Sequence, residues 1–269
     1  MAETVHGEIN YIAPMEVRPR YHANDTSQDI LELDVRTVEI INARSLEDAP
    51  RFDREGFVLA GHKSKVGDFF DPQAIQAEYS REIADLVGEI TGADEVLVNA
   101  PGVLRFGEKS DLSGALNNSR PARFIHVDIS PETARNMMQA SAPEGKKIRR
   151  FVHINVWRAL TPAPQDVPLA LCDARTVARA DLVFADAIFD EPGKPEWSFE
   201  GIVVAHNPAH RWCYFRDMNV DEVLVFSTCD SEQGWPSQVP HSAFNDPSCP
   251  PDTPPRASIE MRAIAYWYE

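Results

Sequence analysis

Residues 151–160 read FVHINVWRAL, a short β-like run that opens a change in the character of the chain. Six more follow it: VPLALCDA (167–174), DLVFADAIF (181–189), GIVVAHN (201–207), WCYFRDM (212–218), EVLVFSTCD (222–230) and RASIEMRAIAYWY (256–268). Polar or proline-containing stretches separate them at intervals of roughly 8–15 residues. Short strands at such spacing, without alternating helices, indicate an all-β sandwich or barrel rather than βαβ units.

Upstream, LELDVRTVEIINAR (31–44) predicts one or two strands, and FDREGFVLAGHKS (52–64) predicts a hairpin with Gly56 near its turn. The clearest helix begins at DPQAIQAEYSREIADLVGEITGA. Asp71 can cap it, Pro72 suits its first position, Ile75, Tyr79, Ile83, Leu86, Val87 and Ile90 recur at helical spacing, and Gly92 ends it. A second helix is expected from Ser130 as cap and Pro131 as first residue. Residues 1–30 are polar without sustained periodicity and read as an arm on the domain. No boundary divides the remainder, so the expectation is a single domain over 1–269, with a β-core over 31–269 and helices packed outside it.

The chain has 269 residues, of which 43% are hydrophobic, enough for a substantial core. Its 26 Lys+Arg against 42 Asp+Glu give a net charge of −16. A field of that sign repels phosphate backbones, which argues against nucleic acid as a partner. The densest basic cluster, Lys146-Lys147-Ile148-Arg149-Arg150, reads as a solvated helix end or loop. The N-terminal stretch lacks the apolar segment of a secretory signal, and no run of 18 apolar residues predicts a membrane span. Cys172, Cys213, Cys229 and Cys249 show no CxxC or zinc-ribbon spacing, so reduced thiols in a cytoplasmic protein are expected. Nothing in the sequence fixes the oligomeric state, and a homodimer is left open.

RFIHVDIS (123–130) is the most informative polar feature. Residues two apart on a strand share a face, so Phe124, His126, Asp128 and Ser130 lie together, opposite Ile125, Val127 and Ile129. Turned inward, His126 and Asp128 need partners: a metal ion, or hydrogen bonds of a structural pair. His6-Gly7-Glu8 has the same H-x-acid spacing in the polar N-terminal stretch, so the pattern alone does not choose. A mononuclear iron(II) site takes two histidines and one carboxylate on one triangular face of the metal. His241, in VPHSAF after the loop SEQGWPSQVP (231–240), can supply the third ligand from a distant strand. Fifteen residues on, Arg256 and Ser258 share a face, and a guanidinium with a hydroxyl can grip a carboxylate.

In this order, H-x-D, a distal His and R-x-S resemble the iron(II)/2-oxoglutarate-dependent oxygenases. NVWRAL, PLALCDAR, HNPAHRWCYFRDM, DEVLVF, HSAFNDP and PPRASIEMR narrow the resemblance to the cephamycin methoxylation hydroxylase and AsaB-like hydroxylase/desaturase group. Together with RFIHVDIS these runs span about residues 120–265. The resemblance implies a double-stranded β-helix (a jelly roll), with iron held by His126, Asp128 and His241 and 2-oxoglutarate anchored by Arg256 and Ser258. It places Asn155, Arg211 and Trp212 toward the cofactors, and Arg105, Arg158 and His210 toward a substrate. The implied reaction uses Fe(II), 2-oxoglutarate and O2 to hydroxylate, desaturate or cyclise a small specialised metabolite through an iron(IV)-oxo species. A catalytically silent jelly roll that binds a metabolite or supports a partner enzyme is the alternative. Two departures bear on the substrate: Cys213 stands where the group carries an aromatic residue, and NAPGVLRFGEKS (99–110) has Arg105 in place of a strongly basic stretch. His206 and His210 are four apart, but Pro208 opposes the helix that would align them. No HExxH, GxSxG, GxGxxG or phosphate-binding loop occurs.

Overall fold

The structure, a computed structural model, describes residues 2–98, 100–232 and 238–269. Residues 233–237, the middle of the loop expected before His241, lie outside the described residues.

Two sheets carry the fold. In hydrogen-bonded order, the larger contains β1 (Thr4–Ile12), β3 (Leu33–Asn42), β12 (Trp212–Tyr214), β9 (Leu169–Cys172), β14 (His241–Ala243), β7 (His126–Val127), β11 (Trp197–Val204), β10 (Leu182–Phe189) and β2 (Arg20–His22). The smaller contains β4 (Phe57–Gly61), β13 (Glu222–Asp230), β8 (Ile148–Ala159), β15 (Ala257–Tyr268) and β5 (Glu95–Leu97), with β6 (Val103–Phe106) also paired to β15. This is the jelly roll, mainly β with helices outside.

Alternation along β15 shows how the layers form. Ile259, Met261, Ala263 and Ala265 pack outward with Ile83, Leu86 and Val87, which lie on the helix α2 (Ser80–Thr91) that covers the smaller sheet. Arg256, Ser258, Glu260 and Arg262 take the opposite parity and face the space between the sheets. That space is otherwise closed by apolar side chains, including Phe57, Trp157, Leu171, Cys213, Leu224 and Phe226.

The first helix forms where its spacing predicts. The Asp71 side chain accepts from the Gln73 N–H, α1 (Pro72–Ala74) starts on proline, and a π-turn (Ile75–Tyr79) leads into α2. Gly92 ends it in the left-handed conformation, at φ 66°. Ser130 caps α3 (Pro131–Ser141) by accepting from Thr133 N–H.

Three expectations are corrected. Residues 1–30 do not merely drape over the domain: β1 pairs with β3 along its whole length, and β2 pairs with β10. The alternation of β1 is masked at Gly7, where a Cβ would come within 2.8 Å of the Phe244 ring. The stretch 52–64 is not a hairpin, because its single strand β4 pairs with distant β13. The basic cluster is not all solvated either, since Arg150 enters β8, is buried, and donates to Asp230.

Candidate metal centre

β7 pairs with both β14 and β11, and the register sets His126 directly opposite His241. The two imidazole centroids lie 4.3 Å apart. Asp128 follows two residues later, at the mouth of α3. One ligand atom from each of His126, Asp128 and His241 falls within 4.8 Å of the others, and all three residues are buried.

Each group is oriented by a neighbour. The His126 Nδ1–H donates to the Phe124 carbonyl at 3.1 Å, and the His241 Nδ1–H donates to the Val239 carbonyl at 3.0 Å. Both rings therefore turn Nε2 toward the common point, as a backbone carbonyl accepting the other ring N–H does for a metal-binding histidine. Asp128 accepts from Asn155 Nδ2 on one carboxylate oxygen and from Arg262 Nη2 on the other, each at 2.8 Å.

The electrostatics suit a cation. Burial, then the neighbouring His241, pull the His126 pKa down to about 3, so its ring is neutral and available as a ligand. Burial alone would raise the Asp128 carboxyl, but Arg262, His241 and His126 outweigh it and hold the group well below the usual carboxylate range. His241 Nε2 is sealed from solvent and, among the described residues, makes no hydrogen bond, with Asp128 Oδ2 3.5 Å away. A buried nitrogen lone pair left without a partner costs about 1–3 kcal/mol. A divalent ion bound by two imidazoles and a carboxylate would satisfy it.

A small cavity beside the triad is lined by His126, His241, Arg105, Trp157, Glu260 and Arg256. The Arg256 guanidinium is fully enclosed, with its Cζ 5.5 Å from the Trp157 ring centroid. Nη1 donates to the Val167 carbonyl at 2.8 Å, but Nε and Nη2 have no partner. Two adjacent unpaired donors present a fork that matches a carboxylate.

Comparison with known proteins fits this geometry. A family profile described as "Oxidoreductase/YMDC permease-like domain" matches residues 9–266. The chain is 31% identical over 257 residues to Hydroxylase/desaturase efuI of Hormonema carpetanum, covering 88% of this chain and 85% of that one. It is 30% identical over 200 residues to the Fe(II)/2-oxoglutarate-dependent dioxygenase nvfI of Aspergillus novofumigatus, covering 73% and 69%. The solved structure of the iron and alpha-ketoglutarate-dependent endoperoxidase NvfI in a different conformation superposes with a TM-score of 0.82. It shares 25% identity and covers 99% of this chain and 98% of that one.

The chain belongs to the iron(II)/2-oxoglutarate-dependent dioxygenases. Its cofactors are Fe(II), 2-oxoglutarate and O2.

In this dioxygenase the sequence-derived site residues divide by strand parity. Asn155 faces the interior but contacts Asp128, so it orients a ligand rather than lining the Arg256 cavity. Ser258 shares the inward face, and its hydroxyl donates to the Arg105 carbonyl at 3.3 Å. Arg105 lines both the small cavity and a larger one of about 550 Å³ that also reaches His126 and Asp128. Burial lowers its pKa, and its Nη1 donates to the Arg120 carbonyl at 2.7 Å.

Four expected pocket residues lie elsewhere. Arg158 sits on the opposite face of β8 from Asn155 and Trp157, where it bonds Tyr79, His62 and the Val220 carbonyl beneath the helix. Trp212 points to the far side of its sheet, packs with Ile9, Tyr11 and Ile125, and donates to the Tyr11 hydroxyl at 2.8 Å. His210 joins that network through Tyr11 and Asp181. Arg211 is half-exposed beside Asp173. The HNPAHRW motif is thus a structural brace outside the barrel. Cys213, by contrast, faces the interior among Phe57, Trp157 and Leu169.

Arg262 and Glu260, both at the site, are absent from the sequence-derived set. The R-x-S alternation in RASIEMR, extended by two more steps, reaches them.

Proposed function

We propose that His126, Asp128 and His241 hold the iron and that Arg256 anchors the distal carboxylate of 2-oxoglutarate. The observation carrying this is the enclosed His241 Nε2 without a partner, beside the enclosed Arg256 with two free donors. The metal, when bound, supplies oxygen activation coupled to decarboxylation of the co-substrate.

The protein's own residues supply the rest. Asn155 and Arg262 fix the Asp128 carboxylate, the Phe124 and Val239 carbonyls fix the ring tautomers, and Trp157 stacks on Arg256 and keeps water from it. Arg105 spans the two cavities and is placed to touch a substrate. That substrate is a small specialised metabolite, oxidised by hydroxylation, desaturation or ring formation. We assign the enzyme to the AsaB-like hydroxylase/desaturase group on the runs NVWRAL and HNPAHRW. The cytoplasm suits its thiols, since Cys172, Cys213, Cys229 and Cys249 are all free.

Anaerobic addition of iron(II) and then 2-oxoglutarate to the purified protein tests this. A weak visible charge-transfer band is expected in the wild type and lost in His126→Ala and Asp128→Ala. Metal binding without that band would remove 2-oxoglutarate from the site, and a band retained in both variants would remove the triad.

A further inference from the structure

The larger cavity is lined by His126 and Asp128 of the triad and also by a polar pair, His22 and Asp29, that the oxidation chemistry leaves unused. His22 ends β2, which pairs with β10, then β11, then β7 carrying His126. Three strand spacings, about 14 Å across the sheet before it curls, separate their strands, and His22 is in register with Ser198 of β11 whereas His126 is in register with Val203, five residues further along. Both histidines line the cavity, whose wall combines apolar side chains, among them Leu31, Ile188, Phe189 and Phe199, with charged ones, Arg105, Glu108, Arg120, Arg123 and Arg262.

His22 is only 8% exposed. Asp29 Oδ1 accepts the His22 backbone N–H at 2.7 Å and lies 3.2 Å from its Nδ1. This double tether fixes the ring with Nδ1 facing the carboxylate, and in the neutral ring that geometry puts the proton on Nδ1. Nε2 is then an acceptor. It has no hydrogen-bond partner among the described residues and is not sealed from solvent, and His22 lines the cavity. A histidine serving only to close β2 onto the Asp29 loop would need Nδ1 alone. An acceptor held on the wall of such a cavity selects a donor.

We propose that His22, oriented by Asp29, is the specificity residue for a substrate hydroxyl. The substrate class is an elongated, apolar molecule carrying an alcohol or phenol at the end remote from the bond that is oxidised. This rests on the dioxygenase reading for the identity of the oxidised end, whereas the hydroxyl contact is a property of the cavity alone. A hydroxyl bonded to Nε2 gives a preference of about tenfold over an analogue lacking the donor, the usual size of a net hydrogen bond in a site of this kind.

The test uses biphenyl-4-ol, 4-methoxybiphenyl and biphenyl, titrated by fluorescence against the full chain. Biphenyl-4-ol should bind about tenfold tighter than either analogue. His22→Phe should reduce that preference to within about twofold, and His22→Gln, which keeps an acceptor, should retain part of it. In the unmodified protein, ¹⁵N NMR of the imidazoles should show His22 as the Nδ1–H tautomer. Equal affinities for the three probes, no binding by any, a preference that survives His22→Phe, or an Nε2–H tautomer would each overturn the proposal. The iron–2-oxoglutarate band is read separately on the same samples. Its absence in the wild type would overturn the dioxygenase reading and leave the hydroxyl preference standing.

Discussion

Arg262 donates from Nη2 to Asp128 at 2.8 Å and to Glu260 at 2.9 Å, so one guanidinium nitrogen joins the metal-ligand carboxylate to a second acid. Burial works against the Arg262 charge, but Asp128 and Glu260 outweigh it and raise its pKa further. The cation therefore fixes both the charge and the orientation of Asp128. In Arg262→Met the only remaining side-chain hydrogen bond to the Asp128 carboxylate among the described residues comes from Asn155, and Glu260 keeps only the charge of Arg105 nearby. Iron(II) affinity should fall about 10- to 100-fold, as for other outer-shell partners. Anaerobic metal titration measures it, and an unchanged affinity would remove Arg262 from this role.

Arg256 trades stability for ligand binding. Burial, then the charges of Arg105 and Arg123, pull its pKa down to about 9, and two of its nitrogens lack partners. Arg256→Met removes an enclosed charge that Asp166 and Glu108 offset only in part, so the variant without co-substrate should melt at a higher Tm than the wild type. Its 2-oxoglutarate affinity should fall by about 30-fold or more, the scale of losing one member of a buried charge pair. Thermal melts with and without 2-oxoglutarate measure both effects. A lower Tm with intact affinity would contradict the assignment.

The parts of the site legible in the sequence are those carried within one strand. His126 with Asp128, and Arg256 with Ser258, are two apart, and period-2 geometry alone puts each pair on one face. The same rule excludes Arg158, which has odd offset from the inward Asn155 and Trp157. Only its place in the same conspicuous run suggests a pocket role. Trp212 misleads for the same reason, as motif membership does not report which side of a sheet a residue takes. The His22–Asp29 pair is not legible at all. Its place opposite the triad depends on β2 pairing with β10, a contact between segments more than 160 residues apart in the chain.

His153 makes the fold acid-sensitive. It is buried on β8 with its Nε2–H donating to the Ala134 carbonyl at 3.0 Å, and burial lowers its pKa from 6.5 to about 4. The unfolded chain binds a proton below pH 6.5 that the native state refuses until about pH 4. The His153 contribution is therefore complete above pH 6.5 and is lost as pH falls through that window. The loss is up to about 1.4 kcal/mol per pH unit from this residue. Urea melts at pH 7 and pH 4.5 should show a larger loss for wild type than for His153→Gln, which keeps a donor for Ala134 but cannot titrate. Parallel losses in the two proteins would contradict this.

Gly201 links Tyr21, on the wall of the larger cavity, to Asp128. A Cβ there would lie 2.6 Å from the Tyr21 hydroxyl and 3.0 Å from the Asp128 backbone carbonyl. The tyrosine ring is packed on Phe124 at 4.8 Å, and the carbonyl is main chain, so neither yields without moving the strand that carries the ligands. Overpacking of this kind costs about 1–3 kcal/mol. Gly201→Ala should therefore lower stability by that amount and weaken iron binding together, whereas a purely local clash would lower stability alone. Urea denaturation of the metal-free protein and anaerobic iron titration separate the two. If iron affinity stayed at the wild-type value, the close approach of β11 would have no part in setting the Asp128 position.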